Sequence, residues 1–162
     1  VAPMQKTTQK TIWVNLFVMC AIVIVELLLH QADKTLSLSN FKNTAFLVIG
    51  ICLLVNGLIF RMWASYTFYK NGIQVLAIGP QHKLIQSGPY SVSRNPLYFG
   101  IISIAFGFSL ILGSIFSLIA STLLIIHWHL YQKLFEEKKL EKAFGEEYRR
   151  YKKKVSRWIG KM

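Results

Sequence analysis

Acidic residues are scarce in this chain: 7 Asp and Glu stand against 19 Lys and Arg, a formal net charge of +12 over 162 residues. Cysteine is scarcer, and both copies, Cys20 and Cys52, lie inside apolar runs. Without a Cys-x-x-Cys pair, neither a zinc site nor a disulfide frame is indicated, and both cysteines read as small packing residues. No group of His, Cys and carboxylate residues has metal-ligand spacing. His127 and His129 are two apart, so on a helix they point in different directions and do not form a metal pair. There is no phosphate-cradling glycine loop, no dinucleotide-binding glycine fingerprint and no nucleophile elbow. No internal repeat or low-complexity tract is present.

Apolar residues are abundant, at 53% of the chain. They fall in blocks long enough to cross a bilayer, which takes about 20 helical residues. The first runs from Ile12 to Leu29 and the second from Thr44 to Trp63. The third, Leu97 to Tyr131, is interrupted near Gly113 and Ser114 and reads as two short helices with a tight turn. The expected fold is therefore all-α: a polytopic membrane protein with about four spans. A soluble bundle fits less well, because its helices are usually amphipathic. No small-residue cleavage site follows the first block, so a signal peptide is a poor reading of it.

The positive charge is placed unevenly. Eleven of the 19 Lys and Arg residues follow Gln132, and the turn at Gly113 has none. Four crossings with both termini cytoplasmic satisfy the positive-inside rule. Basic residues flanking helix ends are more simply explained by anionic headgroups than by nucleic acid, and Lys152, Lys153 and Lys154 form one such patch. The organisation divides into an N-terminal hairpin, residues 1–63, and a core, residues 64–162. Glu26, near the outer end of the first span, is expected to reach water; Asn56 suits a bond between helices. Residues 64–96 read as a connection, with short extended candidates at Ile73–Ile78 and Lys83–Gln86. The tail from Gln132 to Met162 reads as helical and amphipathic, its apolar face carrying Leu134, Phe135, Leu140, Phe144, Tyr148 and Tyr151. Gly145 marks a break in it. Glu137, with Lys133 and Glu141 four residues either side, reads as part of a solvated face.

One stretch is too rigid for a plain loop. Residues 88–100 read Gly-Pro-Tyr-Ser-Val-Ser-Arg-Asn-Pro-Leu-Tyr-Phe-Gly. Pro96 keeps Asn95 extended and starts the following helix, so Arg94 and Asn95 stand over a helix N-terminus that attracts anions. Arg94 is a permanent cation suited to carboxylates and phosphates. Tyr90 and Tyr98 suit either an interfacial belt or the face of a cation. By residue type alone, Arg94 suits a snorkelling anchor better than an anion site, and Glu136, Glu137 and Arg157 suit ordinary surface charges.

Gly88-Pro89-Tyr90, Arg94-Asn95-Pro96-Leu97-Tyr98 and Gly100 resemble the signature of the isoprenylcysteine carboxyl methyltransferases and related membrane phospholipid methyltransferases. The tail is similar at Glu136-Glu137, Leu140, Phe144-Gly145, Tyr148, Tyr151, Val155 and Arg157, as are Arg61, Trp63-Ala64 and Lys83-Leu84-Ile85 upstream. Asn95 stands where that family usually has histidine. The resemblance implies a membrane-embedded methyltransferase using S-adenosyl-L-methionine, held at the cytoplasmic side by the loop, the last span and C-terminal helices. A lipophilic acceptor would enter from the bilayer. On that basis the cofactor residues are Tyr90, Arg94, Asn95, Pro96, Tyr98, Gly100, His127 and Glu136. Arg157 would position a carboxylate acceptor, and Glu136 or Glu137 would take a proton from an amine acceptor. The implied activity is carboxyl O-methylation. The alternatives are N-methylation of a phosphatidylethanolamine-type lipid and a non-enzymatic protein whose tail binds anionic lipid. The short chain suggests a prokaryotic plasma membrane.

Overall fold

The computed structural model describes the backbone of residues 2–38, 41–73 and 83–160, and side chains from residue 12 onward. The described residues form five α-helices: α1 (Ala2–Thr35), α2 (Thr44–Lys70), α3 (Pro96–Leu112), α4 (Ile115–Tyr131) and α5 (Glu137–Lys154). A short 3-10 turn, Gly88–Ser91, precedes α3, and a π turn, Gln132–Glu136, joins α4 to α5. The described part of the expected extended segments, Lys83–Gln86, is not a strand, and Ile73–Ile78 lies almost entirely outside the described residues.

Among the described residues three helical stretches are long and apolar enough to span a bilayer: Ile12–Thr35, Thr44–Lys70 and the continuous Ile115–Lys154, whose apolar part is α4. α3 has 17 residues, about 25 Å of helix, which reaches across a hydrocarbon core at the short end of the range. The protein is an integral membrane protein with an all-α, polytopic body. Leu, Ile, Phe and Trp side chains of α1, α2 and α4 are widely exposed on its outer face, as a lipid-facing surface requires.

α2 and α3 pack most intimately. A Cβ at Gly57 would stand 2.7 Å from the Gly100 carbonyl oxygen, and one at Gly107 would stand 2.7 Å from that of Gly50. Small residues on both helices let the backbones touch, the usual means of packing where water supplies no driving force. The reversal between α3 and α4 is made by Gly113, whose φ of 63° lies in the left-handed region. Ser114 then caps α4, and Asp33 from α1 accepts from the Phe116 amide at 3.2 Å and from the Ser114 hydroxyl. A carboxylate at a helix N-terminus meets the positive end of its dipole.

Three expectations are corrected. α2 continues beyond Trp63 to Lys70 because Ala64 and Phe68 bury against Ile85 and Tyr90, and Asn71 caps it by donating to Thr67 O at 2.8 Å. The connection therefore starts at Asn71, not at residue 64. The tail is helical only to Lys154; Val155 turns extended, with φ −128°. Its apolar face is also narrower. The π turn adds a residue to one helical turn and rotates the register, leaving Leu134 and Phe135 exposed while Leu140, Phe144, Tyr148, Tyr151 and Val155 pack together. At Gly145 the helix kinks, with φ 51° and ψ −123°.

Candidate active site

The loop ahead of α3 and the end of the chain are laced together. Arg94 N donates to Ser156 O at 3.0 Å, and Gly160 N to Val92 O at 3.1 Å. The Ser93 hydroxyl, fully buried, donates to Arg157 O at 3.2 Å and accepts from Asn95 N. Asn95 Nδ2 donates to the same Arg157 carbonyl at 3.3 Å. A histidine N–H at position 95 has one donor to offer that carbonyl, so asparagine supplies the same bond.

A charged cluster fills the joint. Glu137 Oε1 accepts from Arg94 at 2.9 Å and from Arg157 Nε at 2.7 Å, and Lys152 Nζ lies 3.5 Å from Oε2. Arg157 Nη1 lies 3.3 Å from His129 Nε2. The Glu137 side chain is 9% exposed, so it is no part of a solvated face. Burial pushes its carboxyl up, but the Arg157 hydrogen bond and the charges of Arg94, Arg157 and Lys152 outweigh that and hold it below the usual 4.5. Tyr148 accepts a long bond of 3.4 Å from Arg94, and the Tyr151 hydroxyl donates to Tyr90 O at 2.6 Å. The apolar stripe of α5 thus carries phenols that grip the loop.

Beside this joint opens a cavity of about 580 Å³. Its mouth is polar: Arg61, Tyr90, Arg94, Asn95, Tyr98, Trp128 and Glu136 line it. Its shaft is apolar, between Leu97 and Ile101 of α3, Leu124 of α4 and Val18 and Ile22 of α1. Phe17 and Val25 line it too and are also exposed on the outer surface, so the α1 wall is one side chain thick toward the lipid. The Tyr90 ring stacks on Phe68 at 5.1 Å, and the Tyr98 and Trp128 rings meet at 4.4 Å.

Five buried polar atoms at the mouth, Arg61 Nε, Tyr90 Oη, Arg94 Nε, Trp128 Nε1 and Glu136 Oε2, have no hydrogen-bond partner among the described residues. Such groups are costly inside a fold, and here five converge on one cavity. Burial, Tyr151 and Glu136 push the Tyr90 phenol well above its ordinary range, so it remains a donor. Burial also raises the Glu136 carboxyl, against a hydrogen bond from Tyr98 that lowers it. A pocket of this size and chemistry fits one drug-sized, mixed-polarity ligand.

The expected site residues divide accordingly. Tyr90, Arg94, Asn95, Tyr98 and Glu136 share the cavity wall. Glu137 and Arg157 sit behind it, in the charged joint. Pro96 is fully buried at the start of α3, and Gly100 lies on the α2 contact, where a Cβ would meet Arg61 Cβ at 2.8 Å. His127 is exposed and stacks on Tyr131, while His129 faces inward to Arg157. Sequence reasoning missed Arg61, which is 4% exposed and makes no ion pair among the described residues. An arginine in the last third of an apolar block was the signal. It also misjudged Glu26, which is buried at the far end of the cavity rather than reaching water. Asn56 is exposed, whereas Asn15 accepts from Ser65 at 3.2 Å. Among the described residues no three His, Cys, Asp or Glu side chains group as metal ligands would.

Against known families, the phospholipid methyltransferase model matches residues 45–147. Over 133 residues the chain is 33% identical to a probable protein-S-isoprenylcysteine O-methyltransferase of Oryza sativa subsp. indica, covering 79% of this chain and 69% of that one. It is 32% identical over 112 residues to the protein-S-isoprenylcysteine O-methyltransferase of Xenopus laevis, covering 67% of this chain and 38% of that one. No solved structure matches it.

Proposed function

This chain belongs to the phospholipid methyltransferase family and is an integral membrane methyltransferase; we propose that it moves a methyl group from S-adenosyl-L-methionine to a lipophilic acceptor, as a carboxyl O-methyltransferase. The observation that carries this reading is the convergence of unsatisfied polar atoms on a cavity whose remaining wall is apolar and faces lipid. The two halves suit the two substrates. The polar mouth offers donors from Arg61, Arg94 and Trp128 for a carboxylate, and an acceptor at Glu136 for hydroxyls or an amino group. Tyr90 and Tyr98 provide aromatic faces for a sulfonium cation.

When bound, S-adenosyl-L-methionine supplies an electrophilic methyl group on sulfur. The chain's residues then align and exclude water. Asn95 and Ser93 hold the chain end against the loop, which closes the mouth. Glu137 and Arg157 act as positioning residues, fixing the Arg94 guanidinium from behind. A carboxylate acceptor is already ionised near neutral pH and needs no base, only a cation to orient it. Arg61, buried and unpaired, suits that part better than Arg157, which Glu137 occupies. N-methylation of an aminophospholipid is the second reading, favoured by the unpaired Glu136 oxygen, which is suited to accept a proton from an amine. The basic α5 end, read by the positive-inside rule, supports a mouth at the cytoplasmic face.

Titration of the purified protein with S-adenosylhomocysteine tests the donor half, and absence of binding overturns it. Transfer of labelled methyl groups to a farnesylcysteine analogue rather than to total phospholipid is the expected acceptor result. The reverse preference moves the assignment to N-methylation.

A further inference from the structure

The cavity does not end in hydrocarbon. Its inner wall includes Glu26 of α1 and Ser121 of α4. Ser121 is seven residues from Trp128, about 10 Å along α4. The Glu26 residue is 4% exposed, and Ser109 and Ser121 are equally enclosed. An ionisable group this deep in a span is expensive and calls for a reason.

The local hydrogen bonds do not supply one. Each serine hydroxyl has a single proton. Ser109 Oγ lies 2.9 Å from Ala105 O, 3.0 Å from Ser121 Oγ and only 3.4 Å from Glu26 Oε2. Ser117 Oγ lies 3.4 Å from the backbone oxygen of Glu26. Ser109, Ser117 and Ser121 surround the carboxyl, and Ser109 reaches Oε2 only at 3.4 Å, a long bond that leaves the carboxyl room for a further partner from the cavity. Among the described residues no cation pairs with Glu26. Glu26 and Ser121 thus give the otherwise apolar shaft a polar inner end.

We propose that Glu26, with Ser109 and Ser121, forms a second polar subsite that takes a hydrogen-bond-donating group, hydroxyl or amine, carried at the far end of the acceptor's apolar chain. An acceptor with a donor at the end of its apolar chain then fits the cavity better than one whose tail is wholly hydrocarbon, which the shaft still admits. This rests on the shaft being the acceptor site. A carboxyl that merely ties α1 to α3 and α4 would affect stability and leave chain-end preference untouched.

The test uses the full chain in nanodiscs and three probes: N-acetyl-S-octylcysteine and its derivatives with a terminal hydroxyl or a terminal amine. Affinities are measured with and without S-adenosylhomocysteine. At least one donor-tailed probe should bind the wild type about tenfold tighter than the plain chain, which is the cost of leaving one buried acceptor unpaired. Glu26→Leu should abolish or invert that ratio, and Ser121→Ala should reduce it several-fold. Which derivative binds better separates hydroxyl from amine. Equal binding of all probes to the wild type, no binding of any, or a ratio that survives Glu26→Leu overturns the proposal. Should Glu26→Leu not fold, the wild-type ratio and Ser121→Ala decide. Failure of S-adenosylhomocysteine to bind sinks the methyl-donor reading, while the ratio measured without it still judges this subsite.

Discussion

Two arginines on neighbouring walls of the same cavity have opposite fates. Arg94 is caught by Glu137, which is caught in turn by Arg157, so the joint between loop and tail is built from charges that satisfy one another. Arg61, also buried, pairs with no anion among the described residues, although both arginines keep an unpartnered Nε beside the cavity. Buried charges that pair within the protein hold its shape, and breaking one strands the other. A buried charge left unpaired is a cost to the free fold that a ligand of opposite charge removes. The residue type is the same, and the neighbours decide which part it plays.

The sharpest way to break this contrast is Glu137→Ala. Stranding two arginines should cost about 3–5 kcal/mol and free the C-terminal segment. Thermal unfolding and limited proteolysis would report it, and a variant as stable and protease-resistant as wild type would contradict the joint. Arg61→Met should do the reverse: stability held or raised, and affinity for S-adenosylhomocysteine or the acceptor analogue reduced about 100-fold, as for a lost charge-assisted bond. Unaltered titrations for both ligands would remove Arg61 from the site. Gly57→Ala tests the scaffold under Arg61. Its new methyl would stand 2.7 Å from the Gly100 carbonyl, and overpacking of that kind costs about 1–3 kcal/mol. An unchanged unfolding midpoint would mean the helices are not in that contact.

Acid gives a smaller, graded effect. Glu137 is held below its ordinary 4.5, so its stabilisation is fully present above that value and lost as pH falls through the lower folded one. Proteolytic release of the tail should therefore rise below about pH 4.5 in wild type, and in Glu137→Gln show no such step. A step of equal size in both would assign it to another group. The smallest effect is expected from Asn95→His, since either residue can donate to Arg157 O. Methyl transfer within about twofold of wild type is the prediction; a loss of a hundredfold or more would show that the residue does more than hold that carbonyl.

Helix positions and the loop motif were readable because hydropathy and proline act locally. The break at Gly113 is in the residues themselves, as is the start of α3 at Pro96. The site was readable only in part. Tyr90, Arg94, Asn95, Tyr98 and Glu136 share one wall, but nothing in their spacing shows that Glu136 keeps a free oxygen while Glu137 next to it is consumed by two arginines. The π turn also shifts the tail by part of a turn, which moves Leu134 and Phe135 outward and brings Tyr148 and Tyr151 onto the loop.

The chain alone determined that it lives in a bilayer, where it crosses, and that its cations gather toward one end, because burial of apolar runs and the placement of charge depend on composition over short stretches. The tertiary structure decided which of those charges are framework and which face a ligand. Whether a buried charge is satisfied depends on groups brought from distant parts of the chain, Glu137 to Arg94 and Ser109 to Glu26, and no local pattern fixes those meetings.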